Sequence, residues 1–219
     1  MTSTAQVAQA SKFYVSGTPG TALSVTAITK ATQAAVTYSS ATAPAAGDVI
    51  LFGAVTGMPE INGLLGIVQA SPAPTSTTCT VAIDSSGFAS AGTTGTATPQ
   101  TFSKVGNVQD FTPDGGTANI IDVTNMDSTA KEKRQGLQDM GNYALTYDAD
   151  DTDVGQLALI AARTAQAVKV FKQYYPGGLK VRAWQGFVQK ISEPVAGVDK
   201  VLRCTATVVV TGPIFRGVS

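Results

Sequence analysis

The sequence of 219 residues contains no histidine. That removes the side chain most often used as a general base near neutral pH and as a metal ligand. It also lacks a Gly-x-Ser-x-Gly nucleophile turn, a Gly-x-Gly-x-x-Gly fingerprint and a phosphate-binding P-loop. The run Asp148–Asp153 has the acid density of a calcium loop. However, the sixth and twelfth positions, which need Gly and Glu, are Asp153 and Leu159. The expectation is a non-enzyme with no catalytic, cofactor or metal residues. Charge is scarce too: 14% of residues are charged, against about 25% in a typical globular chain. Formal net charge is zero, which argues against a nucleic-acid clamp or a binder of anionic membranes. There are only two cysteines, Cys79 and Cys204, far apart; a secreted disulfide scaffold has more, at closer spacing. Met1 to Ala10 has neither a basic cluster nor an apolar run, so it reads as neither signal peptide nor membrane anchor. Synthesis in a reducing cytoplasm is expected.

Ala, Thr, Val, Gly and Ser fill the space that charge leaves. This composition suits short strands and broad contacts with other protein surfaces. The chain turns on one short predicted helix, Asp153 to Gln166. It follows Asp148-Ala149-Asp150-Asp151-Thr152-Asp153, whose side chains can accept the helix's free N–H groups and oppose its dipole. Val154, Leu157, Ile160/Ala161 and Ala165 recur at three- and four-residue steps, and this is the stripe expected to be buried. Both flanks alternate with period two. Tyr143, Leu145 and Tyr147 share one face; Leu179, Val181, Ala183, Phe187 and Ile191 share another; Leu202, Cys204, Ala206, Val208 and Val210 share a third. A single amphipathic helix among half-buried strands buries its stripe by lying across a sheet.

Along the chain, residues 1–11 are small and polar, and Lys12–Ser16 reads as a strand. From Leu23 to Pro99 the sequence is nearly chargeless, with strand-like runs at Leu23–Ile28, Ala35–Tyr38, Asp48–Phe52, Leu64–Val68 and Thr78–Ile83. Their spacing suits a small sandwich or barrel and argues against a floppy linker. Phe102–Pro113 and Ile120–Val123 follow as strands. Asn125–Gly136 is polar and densely charged, a long exposed excursion rather than a tight hairpin, either merely solvated or a contact loop. Later strands are Val168–Tyr174, Leu179–Ile191 and Val201–Thr211, separated by turns at Tyr174–Gly178 and Glu193–Asp199. Gly186 inside a strand marks a bulge or a close approach. Trp184 falls opposite Val181 and Phe187, either a partly buried surface residue or an interface anchor.

Charge is unevenly placed. Residues 1–99 hold five charges, residues 100–150 eight acids and four bases, and residues 151–219 four acids and nine bases. This is either scatter over solvated loops or an acidic and a basic region that meet when copies stack.

The stretch Gly47–Gly63, with Gly-Asp-Val-Ile, Val-Thr-Gly-Met and Ile-Asn-Gly, resembles a small β-barrel module inserted in phage structural proteins. That module is related to the first catalytic cysteine half-domain of ubiquitin-activating enzymes. Cys79 lies in no thiol-nucleophile motif, so the resemblance implies shape and not that chemistry. From Lys104 onward the sequence resembles the major tail tube proteins of long-tailed, non-contractile bacteriophages (siphophages). The residues that carry it are Val105–Pro113, Leu137–Tyr147, Phe171–Gly178, Val181–Ile191 and Val201–Pro213, with Lys12–Ser16 as the first strand.

The resemblance implies a mainly β fold, a tail-tube β-sandwich or split barrel with one flanking α-helix. It implies a discontinuous core of residues 1–24 and 99–219, with 25–98 an inserted small all-β barrel facing outward. It further implies six-copy rings, joined sheet edge to sheet edge and stacked into a tube through which DNA is ejected into the host. Tape measure, tail-tip and terminator proteins are the implied partners, in a virion tail assembled in the host cytoplasm and without a membrane. Asp127, Lys131, Lys133 and Arg134 map onto the family's inter-ring stacking loop. Asp110, Asp122 and Asp139 are candidates for an acidic lumen, since a basic wall would hold the DNA phosphates. Two other readings remain open: a related ring protein (terminator, baseplate or secretion-tube component), or a host-surface-binding role for the barrel, in which aromatics are few (Tyr38, Phe52, Phe88).

Overall fold

The computed structural model describes residues 11–39, 42–175, 180–192 and 201–218. The N-terminal arm before Ser11, the Pro176–Gly178 part of one expected turn and the expected turn Glu193–Asp199 lie outside them. In chain order the strands are β1 (Lys12–Pro19), β2 (Leu23–Ile28), β3 (Ala34–Ser39), β4 (Val49–Thr56), β5 (Leu65–Ile67), β6 (Thr78–Val81) and β7 (Thr94–Lys104). There follow β8 (Val108–Gly115), β9 (Ala118–Asp122), β10 (Lys133–Gln138), β11 (Gly141–Asp148), helix α1 (Val154–Thr164), β12 (Lys169–Tyr174), β13 (Lys180–Ile191) and β14 (Arg203–Val218). The protein is mainly β with one α-helix among the described residues, as the alternating pattern predicts.

The strands form one antiparallel path, β6-β3-β2-β7-β1-β12-β13-β14-β11-β8, with β4 joined to β7 and to β5. Its first part closes on itself. Gln69 N donates to Thr80 O at 2.8 Å and Ala82 N to Ile67 O at 2.9 Å, tying the β5 end to β6. The enclosed apolar cluster includes Val25, Ile28, Val36, Ile50, Phe52, Met58 and Val81. The second part curls instead of lying flat. Phe13 on β1 and Phe111 on β8 sit at opposite ends of the β1-β12-β13-β14-β11-β8 path, yet their ring centroids are 5.1 Å apart. Inside the curl, Phe13, Tyr143, Leu145, Tyr147, Phe171, Trp184 and Leu159 of α1 make a second core.

β7 belongs to both parts: Thr94–Pro99 pairs with β2 and β4, and Gln100–Lys104 pairs with β1. A third cluster joins them across the seam, with Val49, Leu65 and Ile67 from the barrel against Val170, Val181 and Ala183. Gly20 N donates to Pro99 O at 2.8 Å, so the two ends of the barrel segment lie side by side.

Four expectations need correction. Trp184 is not at the surface: it is fully buried, with ring centroids 4.4 Å from Tyr143 and 6.1 Å from Phe13. Alternation along β13 holds, and Trp184 does fall opposite Val181, but both faces of the strand are covered: Val181 and Ala183 lie in the seam cluster and Trp184 and Val188 in the second core, while Phe187 is 37% exposed. The strand expected over Phe102–Pro113 is two strands, broken at Gly106–Asn107, where Asn107 takes a φ of 55°. The last strand runs on to Val218, past the Thr211 expected, because Phe215, Arg216, Gly217 and Val218 continue the ladder with β13. Finally, Leu202 is half exposed and outside the face assigned to it. Gly186 does mark a close approach, since a Cβ there would stand 2.5 Å from Val209 O.

Candidate assembly surfaces

Helix α1 starts where the acidic run predicts. Asp153 is the N-cap: its Oδ1 accepts from Gln156 N at 2.8 Å and its Oδ2 from Gly106 N at 3.2 Å. Gln156, which the sequence reading passed over, is buried and fully engaged. Its Nε2 donates to Asp148 O at 2.9 Å and Gly106 O at 3.2 Å, and its Oε1 accepts from Asp150 N at 2.9 Å. Gly155 fits directly against the chain after β7, where any Cβ would collide with the Lys104 carbonyl.

The helix therefore buries Gly155, Gln156, Leu159 and Ala162. The stripe expected to be buried points the other way: Val154 is 67% exposed, and Leu157 and Ile160 are 47% exposed each. Both stripes have helical spacing, but only the small-residue one fits the close approach at Gly155. The bulky stripe is left as an apolar outer face. Its Leu157 and Ile160 line a groove of about 410 Å³ together with Ala149, Asp150, Asp151, Arg163 and Ile191. The Thr152 hydroxyl and N–H both donate to Asp150 and hold its carboxyl below the usual range. Nearby, Arg203 Nε sits 3.0 Å from Asp148 Oδ1.

At the far end of the β8–β11 ladder a ribbon projects. Among the described residues β9 and β10 pair only with each other, in register Lys133 with Asp122, Arg134 with Ile121 and Gln135 with Ile120. The expected excursion over Asn125–Gly136 is thus an exposed ribbon whose return arm begins at Lys133. Its tip is tied by Asn125, whose Oδ1 accepts from Asp127 N at 2.9 Å, and by Val123 N donating to Glu132 O at 3.0 Å. Ile120 (64% exposed), Ile121 (48%) and Leu137 (92%) are apolar side chains left in solvent.

Of the predicted contact residues, Asp127 and Lys131 lie in the tip and Lys133 and Arg134 on β10, all exposed. The three acids proposed for a lumen are exposed but dispersed. Asp110 is on β8 opposite Thr146, Asp122 closes β9 opposite Lys133, and Asp139 lies between β10 and β11, its Oδ1 accepting from Gly141 N at 2.9 Å. Strand β8 ends the sheet path with only β11 beside it among the described residues. It offers an open edge.

One buried cation sits near the seam. Lys172 Nζ lies 4.3, 5.1 and 5.4 Å from the ring centroids of Phe102, Tyr174 and Tyr14. Burial lowers its pKa, and Asp48 of the barrel opposes that shift. Cys79 and Cys204 are buried thiols in separate cores, and burial pushes Cys79 up to about 12.

Among the described residues, an open sheet edge, a projecting ribbon and an exposed apolar helix face stand on one mainly β chain. The chain belongs to the phage tail tube protein (TTP) family, whose pattern matches residues 56–217. It is accordingly a structural protein of the bacteriophage tail, a subunit of a tube. The match starts at the end of β4, so it includes β5 to β7 of the barrel as well as the core. No curated protein matches the chain.

Proposed function

We propose that this chain is the major tail tube subunit of a long-tailed, non-contractile phage. Six copies form a ring, and rings stack into the hollow conduit for genome ejection. The observation that supports this best is the polarity of the assembly surfaces, ribbon at one end of the β8–β11 ladder and helix groove at the other. A head-to-tail contact of that kind generates rings or open-ended arrays rather than closed pairs. The exposed edge of β8 suits lateral pairing with a neighbour's sheet. Asp127, Lys131, Lys133 and Arg134 serve as contacts between rings. Asp110, Asp122 and Asp139 face the lumen, keeping its wall from gripping DNA. A tape measure protein would set the length, with tail-tip and terminator proteins at the ends, all assembled in the host cytoplasm. Residues 25–98 act as a separate outward-facing module on a core of 1–24 and 99–219; their adjacent ends favour this division.

The test is electron microscopy of the purified chain over a concentration series, with solution scattering in parallel. Hollow tubes or stacked six-fold rings are expected. A chain that stays monomeric even with a tail-tip initiator present would overturn the reading.

A further inference from the structure

The seam between barrel and core holds a second kind of site. We infer that its cavity binds an acidic sugar of the uronic-acid type, with Lys172 receiving the carboxylate. Phe13, Val15 and Phe171 turn into the second core, so their neighbours Tyr14 and Lys172 stand on the opposite face of the sheet. Tyr14 is the cross-strand partner of Lys172, Lys12 of Tyr174, and Ser16 of Phe102, which puts all of these on that same face. Asp48, just ahead of β4, closes the site from the barrel side. Together these residues line a cavity of about 710 Å³, a size usual for small-molecule sites. The barrel itself has few aromatics, but the seam gathers three rings against it.

Lys172 is the reason to expect an occupant. It is only 6% exposed, and among the described residues its ammonium has neither an ion-pair partner nor a hydrogen-bond acceptor; the ion pair there is Arg203 with Asp148. The rings of Phe102, Tyr174 and Tyr14 attract the charge, yet they supply no oxygen to receive its protons. A buried ammonium left in that state is costly, and a carboxylate in the cavity completes it. Lys12 and Lys172 against Asp48 leave one net positive charge, which suits a single carboxylate better than a multiply charged phosphate. The remaining polar groups accept. Asp48 spends Oδ2 on Ala45 N at 2.8 Å and keeps Oδ1. Gln100, also in the wall, spends Nε2 on Thr98 O at 3.1 Å and keeps its amide oxygen. Free acceptors of this kind take protons from ligand hydroxyls. The aromatic walls suit the C–H face of a pyranose ring.

The test is isothermal titration of the dispersed full chain with D-glucuronic and D-galacturonic acid, and with glucose, acetate and inorganic phosphate as controls. Saturable binding of a uronic acid, one per chain, is expected, with every control at least about tenfold weaker. Lys172→Met should weaken binding by about tenfold or more in a chain whose circular dichroism matches the parent. Lys12→Glu, at an exposed residue, should also weaken it with an unchanged Tm, and carries the test if the Lys172 variant fails to fold. Acetate or phosphate binding as well as the sugar acids would mean an anion site without sugar recognition. Equal binding of glucose would mean that the ammonium is not used, and no saturable binding would mean no site; each overturns the proposal. Trigalacturonic acid separates two sources. Binding as tight as the monomer's points to a unit of a surface polysaccharide, and binding of the monomer alone to a free sugar acid; both support the pocket. Assembly is read separately by microscopy, so failure here leaves the tube reading standing.

Discussion

At the scale of single residues, polar side chains fix where the helix begins. Asp153 satisfies one orphan N–H of α1 and the Gly106 amide. Asp153→Ala should therefore cost about 1–2 kcal/mol, the upper half of the range for lost N-caps, measured by urea denaturation. Titration adds a second test. Cys79 is raised to about 12 from 9.0, so its contribution is intact below pH 9 and is lost as pH climbs toward 12. Lys172 has the opposite sign: its lowered pKa means that folding disfavours the charged amine, so its penalty fades as pH rises toward the unfolded value near 10.5. Melting curves from pH 8 to 11 should show Cys79→Ala flattening the alkaline loss of stability and Lys172→Met steepening it. No change in either slope would refute the burial argument. The cap was legible in sequence because Asp153 stands beside a periodic run. Gln156 was not, because a glutamine buried among three backbone groups has no signature of its own.

At the scale of elements, the helix position was legible and its orientation was not. Periodicity identifies a stripe but not which of two stripes a neighbour will accept, and here the tight contact at Gly155 decided for the smaller one. Leu159→Ala should destabilise the fold by about 2–5 kcal/mol, as expected for a truncated core leucine. Leu157→Ala, two positions earlier, should stay within about 0.5 kcal/mol in the monomer. Comparable losses from both in chemical denaturation would put the helix the wrong way round. Strand β13 makes the same point. Its apolar residues were easy to recognise and Trp184 does fall opposite Val181, but period two cannot say that both faces of the strand are covered, which is what buries Trp184. Trp184→Ala should cost about 3–5 kcal/mol, well beyond a surface tryptophan.

At the scale of the whole molecule, strand content could be read from alternation, while the joining of strands distant in sequence could not. Nothing local in Thr94–Lys104 announces a strand shared by two sheets, because its partners lie on β1, β2 and β4. The seam cluster of Val49, Leu65, Ile67, Val170, Val181 and Ala183 leads to a cooperative expectation. Calorimetry of the dispersed chain should give one unfolding transition, with barrel and core melting together; two resolved peaks would show that the seam contributes little. Removing residues 25–98 would expose Val170, Val181 and Ala183, so the remaining core should be less stable and more prone to aggregate than the parent. The ribbon and helix face are likewise whole-molecule features. Their exposed apolar residues were visible in the sequence, but that they lie at opposite ends of one ladder was not.

Because β7 passes without a break from one sheet into the other, it also determines how the molecule resists being pulled. A drag on the barrel is transmitted along the axis of β7 to the Tyr14–Lys104, Val15–Ser103 and Ser16–Phe102 pairings with β1. There the hydrogen bonds are loaded in shear and must give way together, rather than peeling apart one by one. A module hung from a loop would tear away at its tether; this one yields only when the sheet beneath it does.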